Sequence, residues 1–271
     1  MLKLRDPGLT QATLDGLGNY QEEMDQAGNY SDRVATAKSA FSSRNRRTNA
    51  IFQNVREALA KMAGEAVRCA YCEDSAADEV EHVKPKDLYP ESVFRWPNYV
   101  YACGPCNGRK LNSFSIIDAA GVRVDVTRPR RAPVIAPLDG LPALIDPRSE
   151  DPLQFFDMDL QGTFFVLEAL DLSPLDEARA TFTIELLGLN RDLLLTTRRD
   201  AYLGYRARLS EYAAKAEQGA ENSELDAIRS SLLSSPHPTV WEEMKRQAHL
   251  IEELQILFAS VPAAMAWRHF P

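Results

Sequence analysis

Apolar residues recur at helical spacing over long stretches of the chain and at strand spacing over a short middle part. Thr48-Asn49 can cap a helix, and Ile51, Val55, Leu59 and Met62 follow at intervals of three and four up to Gly64, the spacing of one buried helix face. Residues 79–83 alternate as a strand does, and Asn98-Tyr99-Val100-Tyr101-Ala102 has strand composition, rich in aromatic and β-branched side chains. The segment 84–97 between them, interrupted by Pro85, Pro90 and Pro97, reads as a long loop. A short helix is expected near Asn107 to Asn112, so the order strand, loop, strand, helix predicts a ββα unit. Residues 127–137 are too proline-rich for a regular element and read as a connector. Further on, 162–167 looks like a buried strand. From Asp176 the pattern turns helical, over 176–188 ending at Gly188, then 191–217, 222–233 and 238–259.

Composition adds limits to this outline. The chain has 271 residues, 45% of them hydrophobic and 26% charged, which fits a globular protein and argues against disorder of the whole. The start, Met1-Leu2-Lys3-Leu4-Arg5-Asp6-Pro7, has no apolar core of the length a secretion signal needs, and no uninterrupted apolar stretch approaches a membrane span. A cytoplasmic protein without membrane contact is expected. The net charge of −8 argues against nucleic acid, because phosphate affinity comes largely from Lys and Arg. The local balance is different: from Glu81 to Arg131 there are nine basic residues against five acidic ones. Arg33, Lys38, Arg44, Arg46 and Arg47 form a second basic stretch with no acid between Arg33 and Arg47. That stretch reads equally well as a solvated helix face or as part of a positive groove on an acidic body.

All four cysteines lie in two Cys-x-x-Cys pairs, Cys69/Cys72 and Cys103/Cys106. In a reducing compartment this favours one tetrahedral zinc site over disulfides. Four thiolates leave a zinc ion no open position, so its role would be structural. Between the pairs stands Glu81-His82-Val83-Lys84-Pro85, and the second pair runs into Asn107-Gly108-Arg109-Lys110. A histidine with an ordinary pKa near neutrality can take a proton from water. Glu81 and Asn107 offer hard oxygens suited to Mg²⁺ or Mn²⁺. Adjacent strand residues point to opposite faces, so Glu81 and His82 reach one centre only if the strand bends there. Asn98 is the candidate for a hydrogen bond that pins the long loop and orients His82. Lys110 and Arg109, with Lys84 and Lys86, are candidate phosphate contacts. His237, His249 and His269 have no nearby cluster of ligands and read as packing or surface residues. Trp241, Phe258 and Trp267, with Tyr202, Tyr205 and Tyr212, read as a helical core.

Cys69-Ala70-Tyr71-Cys72, Glu81-His82-Val83-Lys84-Pro85 and Asn98 through Cys103-Gly104-Pro105-Cys106-Asn107-Gly108-Arg109-Lys110 together resemble the zinc-knuckle branch of the HNH (ββα-metal) endonucleases. The resemblance implies an α+β protein: a small zinc-stapled ββα-metal core embedded in a mainly α-helical chain. It implies His82 as general base, Glu81 and Asn107 as ligands of a catalytic Mg²⁺ or Mn²⁺, Asn98 as the central asparagine, and the four cysteines as ligands of a structural Zn²⁺. It also implies cleavage leaving a 5′-phosphate and a 3′-hydroxyl. Many members have Asp or His where Glu81 stands and His where Asn107 stands, which bears on the preferred metal. Tyr71-Cys72-Glu73, Trp96-Pro97-Asn98, Leu144-Ile145-Asp146-Pro147, Asp151-Pro152, and Thr183 to Arg191 with Arg198 are similar to the PtuB-like HNH proteins of Septu and retron anti-phage systems. That branch implies DNA as substrate and a cognate ATPase, encoded nearby, as partner. A stand-alone HNH nuclease of another defence or restriction system, or a zinc-knuckle module that binds without cutting, remains an alternative. Four stretches are expected: an N-terminal helical region over 1–66, the HNH core over 67–126, a connector with a short strand over 127–175, and a C-terminal helical region over 176–271.

Overall fold

Three helices precede the cysteines in the computed structural model, which describes residues 1–64 and 66–269. The positions outside the described residues are Glu65 in the first expected stretch and Phe270 and Pro271 in the last. Helices α1 (Gln11–Asp25), α2 (Tyr30–Arg44) and α3 (Ala50–Met62) each begin behind a polar residue, Thr10, Asn29 and Asn49, whose side chain accepts from first-turn backbone N–H groups. Those N–H groups have no partner inside a helix, so the caps satisfy them. The buried face of α3 is Phe52, Val55, Ala58, Leu59 and Met62. Ile51 sits half-buried at its edge, so the expected stripe is right in period and turned slightly in phase.

Strand β1 (Glu79–His82) pairs antiparallel with β2 (Tyr99–Ala102), in the register Glu79↔Ala102 to His82↔Tyr99. The loop between them holds two 3-10 turns, at Pro90–Ser92 and Trp96–Asn98. Helix α4 (Gly104–Lys110) follows at once. It starts three residues before the expected position because Pro105, lacking an N–H, suits a first turn, and Cys103 serves as its N-cap residue. The expected order of strand, loop, strand and helix is thus present.

Next come β3 (Ser115–Ile117), β4 (Arg123–Asp125) and, after the connector, β5 (Leu141–Pro142), in a sheet of order β4-β3-β5. Gly140 leads into β5 where a Cβ would lie 2.5 Å from the Ile117 carbonyl oxygen, so only glycine lets the backbones come this close. Strands β6 (Phe156–Met158) and β7 (Val166–Glu168) form a hairpin. The expected strand over 162–167 is corrected here. Asp159 accepts from the backbone N–H groups of Gln161, Gly162 and Thr163 and makes that part a turn, Phe164 has φ 60°, and Phe165 and Leu167 are exposed.

Helices α5 (Pro174–Leu187), α6 (Asp192–Glu217) and α7 (Asn222–Leu233) match the expected spans closely. The helix expected over 238–259 is two, α8 (Pro238–Arg246) and α9 (Glu252–Ser260). Its apolar period continues through the break, with Trp241, Met244, Ile251, Leu254 and Phe258 all buried. A turn over 247–250 separates the two helices, and at this point the side chains reach β6: Arg246 donates to the Phe156 carbonyl at 3.2 Å and Gln247 to the Met158 carbonyl at 2.7 Å. The aromatic residues gather as expected, with Trp241 5.6 Å from Tyr205, 5.4 Å from Phe258 and 6.4 Å from Trp267, and Tyr212 4.9 Å from Trp267, between ring centroids. Helices and small antiparallel sheets together make an α+β chain. Among the described residues no helix is long and apolar enough to cross a membrane.

Candidate functional site

The cysteine pairs meet because one backbone hydrogen bond ties the turn after α3 to β2 and another closes that turn on itself. Ala70 N–H donates to the Tyr101 carbonyl at 2.9 Å, and Cys69 N–H to the Ser75 carbonyl at 3.0 Å. All four cysteines are buried, and their sulfur atoms lie within 4.8 Å of one another, Cys72 and Cys103 at 3.7 Å. A tetrahedron with Zn–S bonds of about 2.3 Å has edges of about 3.8 Å, so the cluster has the chemistry and the size of a zinc site. Contacts among the four thiols pull Cys72 and Cys103 below their ordinary range and push Cys69 and Cys106 above it, the split expected of close thiols that share their protons unevenly.

Residues around the first pair extend into the C-terminal helices. Glu73 accepts from Thr239 N–H at 3.0 Å and from its hydroxyl at 2.7 Å, placing a carboxylate at the start of α8, where the helix dipole favours an anion. Asp74 lies 3.3 Å from His237 Nε2, which also meets the Thr197 hydroxyl at 2.9 Å. His237 and His269 are thus packed, His269 against the Tyr205 hydroxyl at 3.1 Å, and His249 is exposed.

On β1 the alternation is regular and carries no bulge. The bend expected to bring Glu81 and His82 to one side is therefore absent, and the two side chains leave opposite faces. His82 is 3% exposed and lies edge-on to Phe41 of α2 at 4.4 Å and to Tyr99 at 5.2 Å between centroids. Its Nε2 is 3.0 Å from the Val93 carbonyl. A carbonyl can only accept, so Nε2 carries the hydrogen and Nδ1 keeps its lone pair. Burial and the Lys86 ammonium push its pKa down to about 3, against the Val93 carbonyl, with Lys110 adding to the effect. The ring is neutral at physiological pH.

Asn98 occupies the place expected of a loop pin. Its Oδ1 accepts from Lys84 N–H at 2.7 Å, and its Nδ2 donates to the carbonyls of Lys84 at 3.1 Å and Ser92 at 2.9 Å. Ser92 precedes Val93, so Asn98 bears on His82 through the carbonyl that holds the imidazole.

The other face of β1 turns to α4. Lys110 is fully buried and donates to Glu81 Oε1 and to the His82 carbonyl, both at 2.7 Å. This corrects the expectation that Lys110 meets a phosphate: a cation with 0% exposure, committed to a carboxylate and a carbonyl, is a fastener between β1 and α4. Asn107, expected to share an ion with Glu81, donates its Nδ2 to Glu79, and among the described residues its Oδ1 has no hydrogen-bond donor. Glu79 was missed in the sequence, although its spacing of two from Glu81 puts both carboxylates on the same face of a strand. Glu79, Glu81 and Asn107 present hard oxygens from facing elements, a donor set that suits a divalent ion of the Mg²⁺ type. Among the described residues the four cysteines are the one group of three or more His, Cys, Asp or Glu ligands gathered closely enough for a metal.

The remaining basic candidates each lie against another part of the chain. Lys84 and Lys86 are half-buried, with ammonium groups 5.4 Å from the ring centres of Tyr89 and Phe41 respectively. Arg109 is exposed and lies against Gly188, whose φ of 57° ends α5. The basic stretch of α2 is more than a solvated face: Lys38 pairs with Asp87 at 2.8 Å, Tyr30 donates to the Leu88 carbonyl at 2.9 Å, and Arg44 covers Tyr20 at 4.5 Å while pairing with Glu23. Helix α2 thereby holds the loop that carries Val93.

The motif over 183–198 also acquires partners. Asn190 clasps Val166 through its backbone N–H and carbonyl, both at 2.8 Å. Arg198 donates to the Phe164 carbonyl at 3.1 Å, and both Nη atoms of Arg191 lie 3.9 Å from Cys106 Sγ. Burial works to lower the Arg191 pKa, and the charges of Cys106 and Cys72 outweigh it, so the guanidinium is held above its ordinary value.

No family model matches the chain. A stretch of it is 46% identical over 48 residues to the Septu protein PtuB of Bacillus thuringiensis, covering 16% of this chain and 19% of that protein. The chain thus spans about a fifth of the length of the curated relative it matches, and a buried four-cysteine cluster of zinc dimensions stands beside that partial likeness to PtuB.

Proposed function

We propose that this chain is a metal-dependent HNH-type endonuclease that hydrolyses DNA phosphodiester bonds, as the nuclease component of an anti-phage system working with an ATPase partner. The observation that carries the reading is His82: a neutral imidazole whose tautomer is fixed by the Val93 carbonyl, on a hairpin beside the cysteine cluster. In that role Nδ1 takes the proton of the attacking water, a contribution of about 10²–10⁴-fold for a positioned base. The resemblance assigns the divalent ion to Glu81 and Asn107, and Asn107 Oδ1 is free for it; the ion, when bound, would supply positive charge for the crowded phosphate oxygens. Glu79 orients the Asn107 amide, and Lys110 fixes Glu81 and the end of β1. Phe41 and Lys86 cover the imidazole, so DNA reaches it only after these side chains move aside. The partial likeness to PtuB supports the defence setting and the partner.

The burial of His82, Glu81 and Lys110 favours a second reading, a zinc module that binds nucleic acid without cutting it. Plasmid and linear DNA incubated with Mg²⁺ or Mn²⁺, with and without the ATPase encoded next to this gene, separate the two. Cleavage that is lost in His82→Ala supports the nuclease. A DNA mobility shift with no cleavage in the presence of the partner, or equal cutting by His82→Ala, overturns it.

A further inference from the structure

Arg191 sits where two negative ends meet. Helix α5 ends at Gly188, and Arg191 is the N-cap residue of α6. Its guanidinium donates to the carbonyls of Leu187 at 3.4 Å and Gly188 at 3.2 Å, and both Nη atoms face Cys106 Sγ at 3.9 Å. Free carbonyls at a helix C-terminus carry partial negative charge. Four thiolates around one Zn²⁺ leave a net charge of −2, and such a charge is costly to bury unless a cation opposes it. The other arginine on that face of α6, Arg198, is committed to the Phe164 carbonyl. The planar guanidinium fork can serve sulfur and carbonyl oxygen together, which a lysine ammonium on a flexible stem does less well.

We propose that Arg191 is a positioning residue of the zinc centre, opposing the charge of its thiolates at Cys106 and tying α4 to the end of α5. Cys106 stands in the first turn of α4, the helix that carries Asn107 and Lys110, so the tie also fixes where those side chains face β1. The same contact gives the later sequence motif a physical task, since it brings residue 191 onto the cysteines 85 positions earlier. The inference rests on zinc in the cysteine cluster and not on nuclease activity.

The test is zinc release from the purified full-length protein to an excess of chelator, followed with a chromogenic zinc indicator, in parallel with far-UV circular dichroism. Outer partners of metal ligands typically change affinity by about 10–100-fold, so Arg191→Met should release zinc faster by that order, Arg191→Lys by less, and Asn190→Ala within about two-fold of the original. Asn190→Ala loosens the neighbouring tie to β7 without touching a thiolate. Release from Arg191→Met at the original rate overturns the proposal, as does equal acceleration in Asn190→Ala, which would mark general loosening. Should Arg191→Met not fold, the charge-retaining Arg191→Lys decides: faster release than the original supports the proposal, and an unchanged rate overturns it. A wild-type protein that purifies without zinc removes its premise, while DNA cleavage remains a separate measurement.

Discussion

The hairpin region with its four cysteines and the C-terminal helices are held together by different balances of forces. In the hairpin region the interior contains His82, Glu81, Asn98, Lys110 and four cysteines, groups that cost free energy to bury unless each finds its partner. In the helices the large buried side chains are Tyr205, Trp241, Leu254, Phe258 and Leu209, with Arg198, His237 and Glu243 buried among the polar ones, and removal of apolar surface from water supplies most of the stability. The hairpin region therefore depends more on specific geometry, and the helices more on volume. A single lost partner should disturb the first much more selectively than a single lost methyl group disturbs the second.

The largest expected effect comes from the metal. A structural zinc can contribute about 10–16 kcal/mol of folding free energy, so Cys103→Ser should strip protection from the amides of β1, β2 and α4. Hydrogen exchange should still find α6 and the Trp241 cluster protected; uniform loss across the chain would show that the two regions stand or fall together. Next, Trp241→Ala should cost about 3–5 kcal/mol through the cavity it leaves, with zinc content unchanged. Lys110→Met should cost a similar amount, about 3–5 kcal/mol, for another reason: it leaves the Glu81 carboxylate buried and unpaired. Adding Glu81→Gln should recover much of that loss in urea unfolding, and additive losses would count against a buried pair.

Asn98→Ala removes three hydrogen bonds from the loop backbone and should cost about 1–3 kcal/mol, the desolvation of groups left unmade. Exchange should rise at Lys84 and across the loop of 84–97 and leave α7–α9 unchanged. The effect that is smallest at neutral pH is a slope that opens only below about 6.5. His82 is held neutral with a folded pKa of about 3, below its ordinary 6.5, so the unfolded chain binds the proton more readily. Stability from this group is complete above about 6.5 and is lost as pH falls toward 3, at up to about 1.4 kcal/mol per unit. Urea midpoints of the original and His82→Phe should diverge through that window, and parallel curves would remove His82 as the source.

Much of the outline was legible in the chain. The Cys-x-x-Cys spacing, the caps at Asn49 and Gly188 and the helical period of 191–217 are local signals, set within a few residues by bond geometry and side-chain spacing. Asn98 as a loop pin was legible for a similar reason, since its partners Ser92 and Lys84 lie 6 and 14 positions away. The departures occur where distant chain segments compete. The interruption of 238–259 was invisible because its apolar period continues unbroken, and the carbonyls of β6 that Arg246 and Gln247 reach at that break lie 90 and 89 positions earlier.

The sequence by itself determined which residues could hold zinc, where the hairpin and its helix lie, and that a histidine, a carboxylate and an amide stand near them. Tertiary structure decided what each of those groups touches: Lys110 on Glu81 instead of solvent, Asn107 on Glu79, His82 under Phe41, and Arg191 on Cys106. The physical reason is range. Periodicity and spacing act along the backbone, whereas these pairings join residues 28, 29, 41 and 85 positions apart, and only packing in three dimensions selects one partner for a buried charge among several that the chain offers.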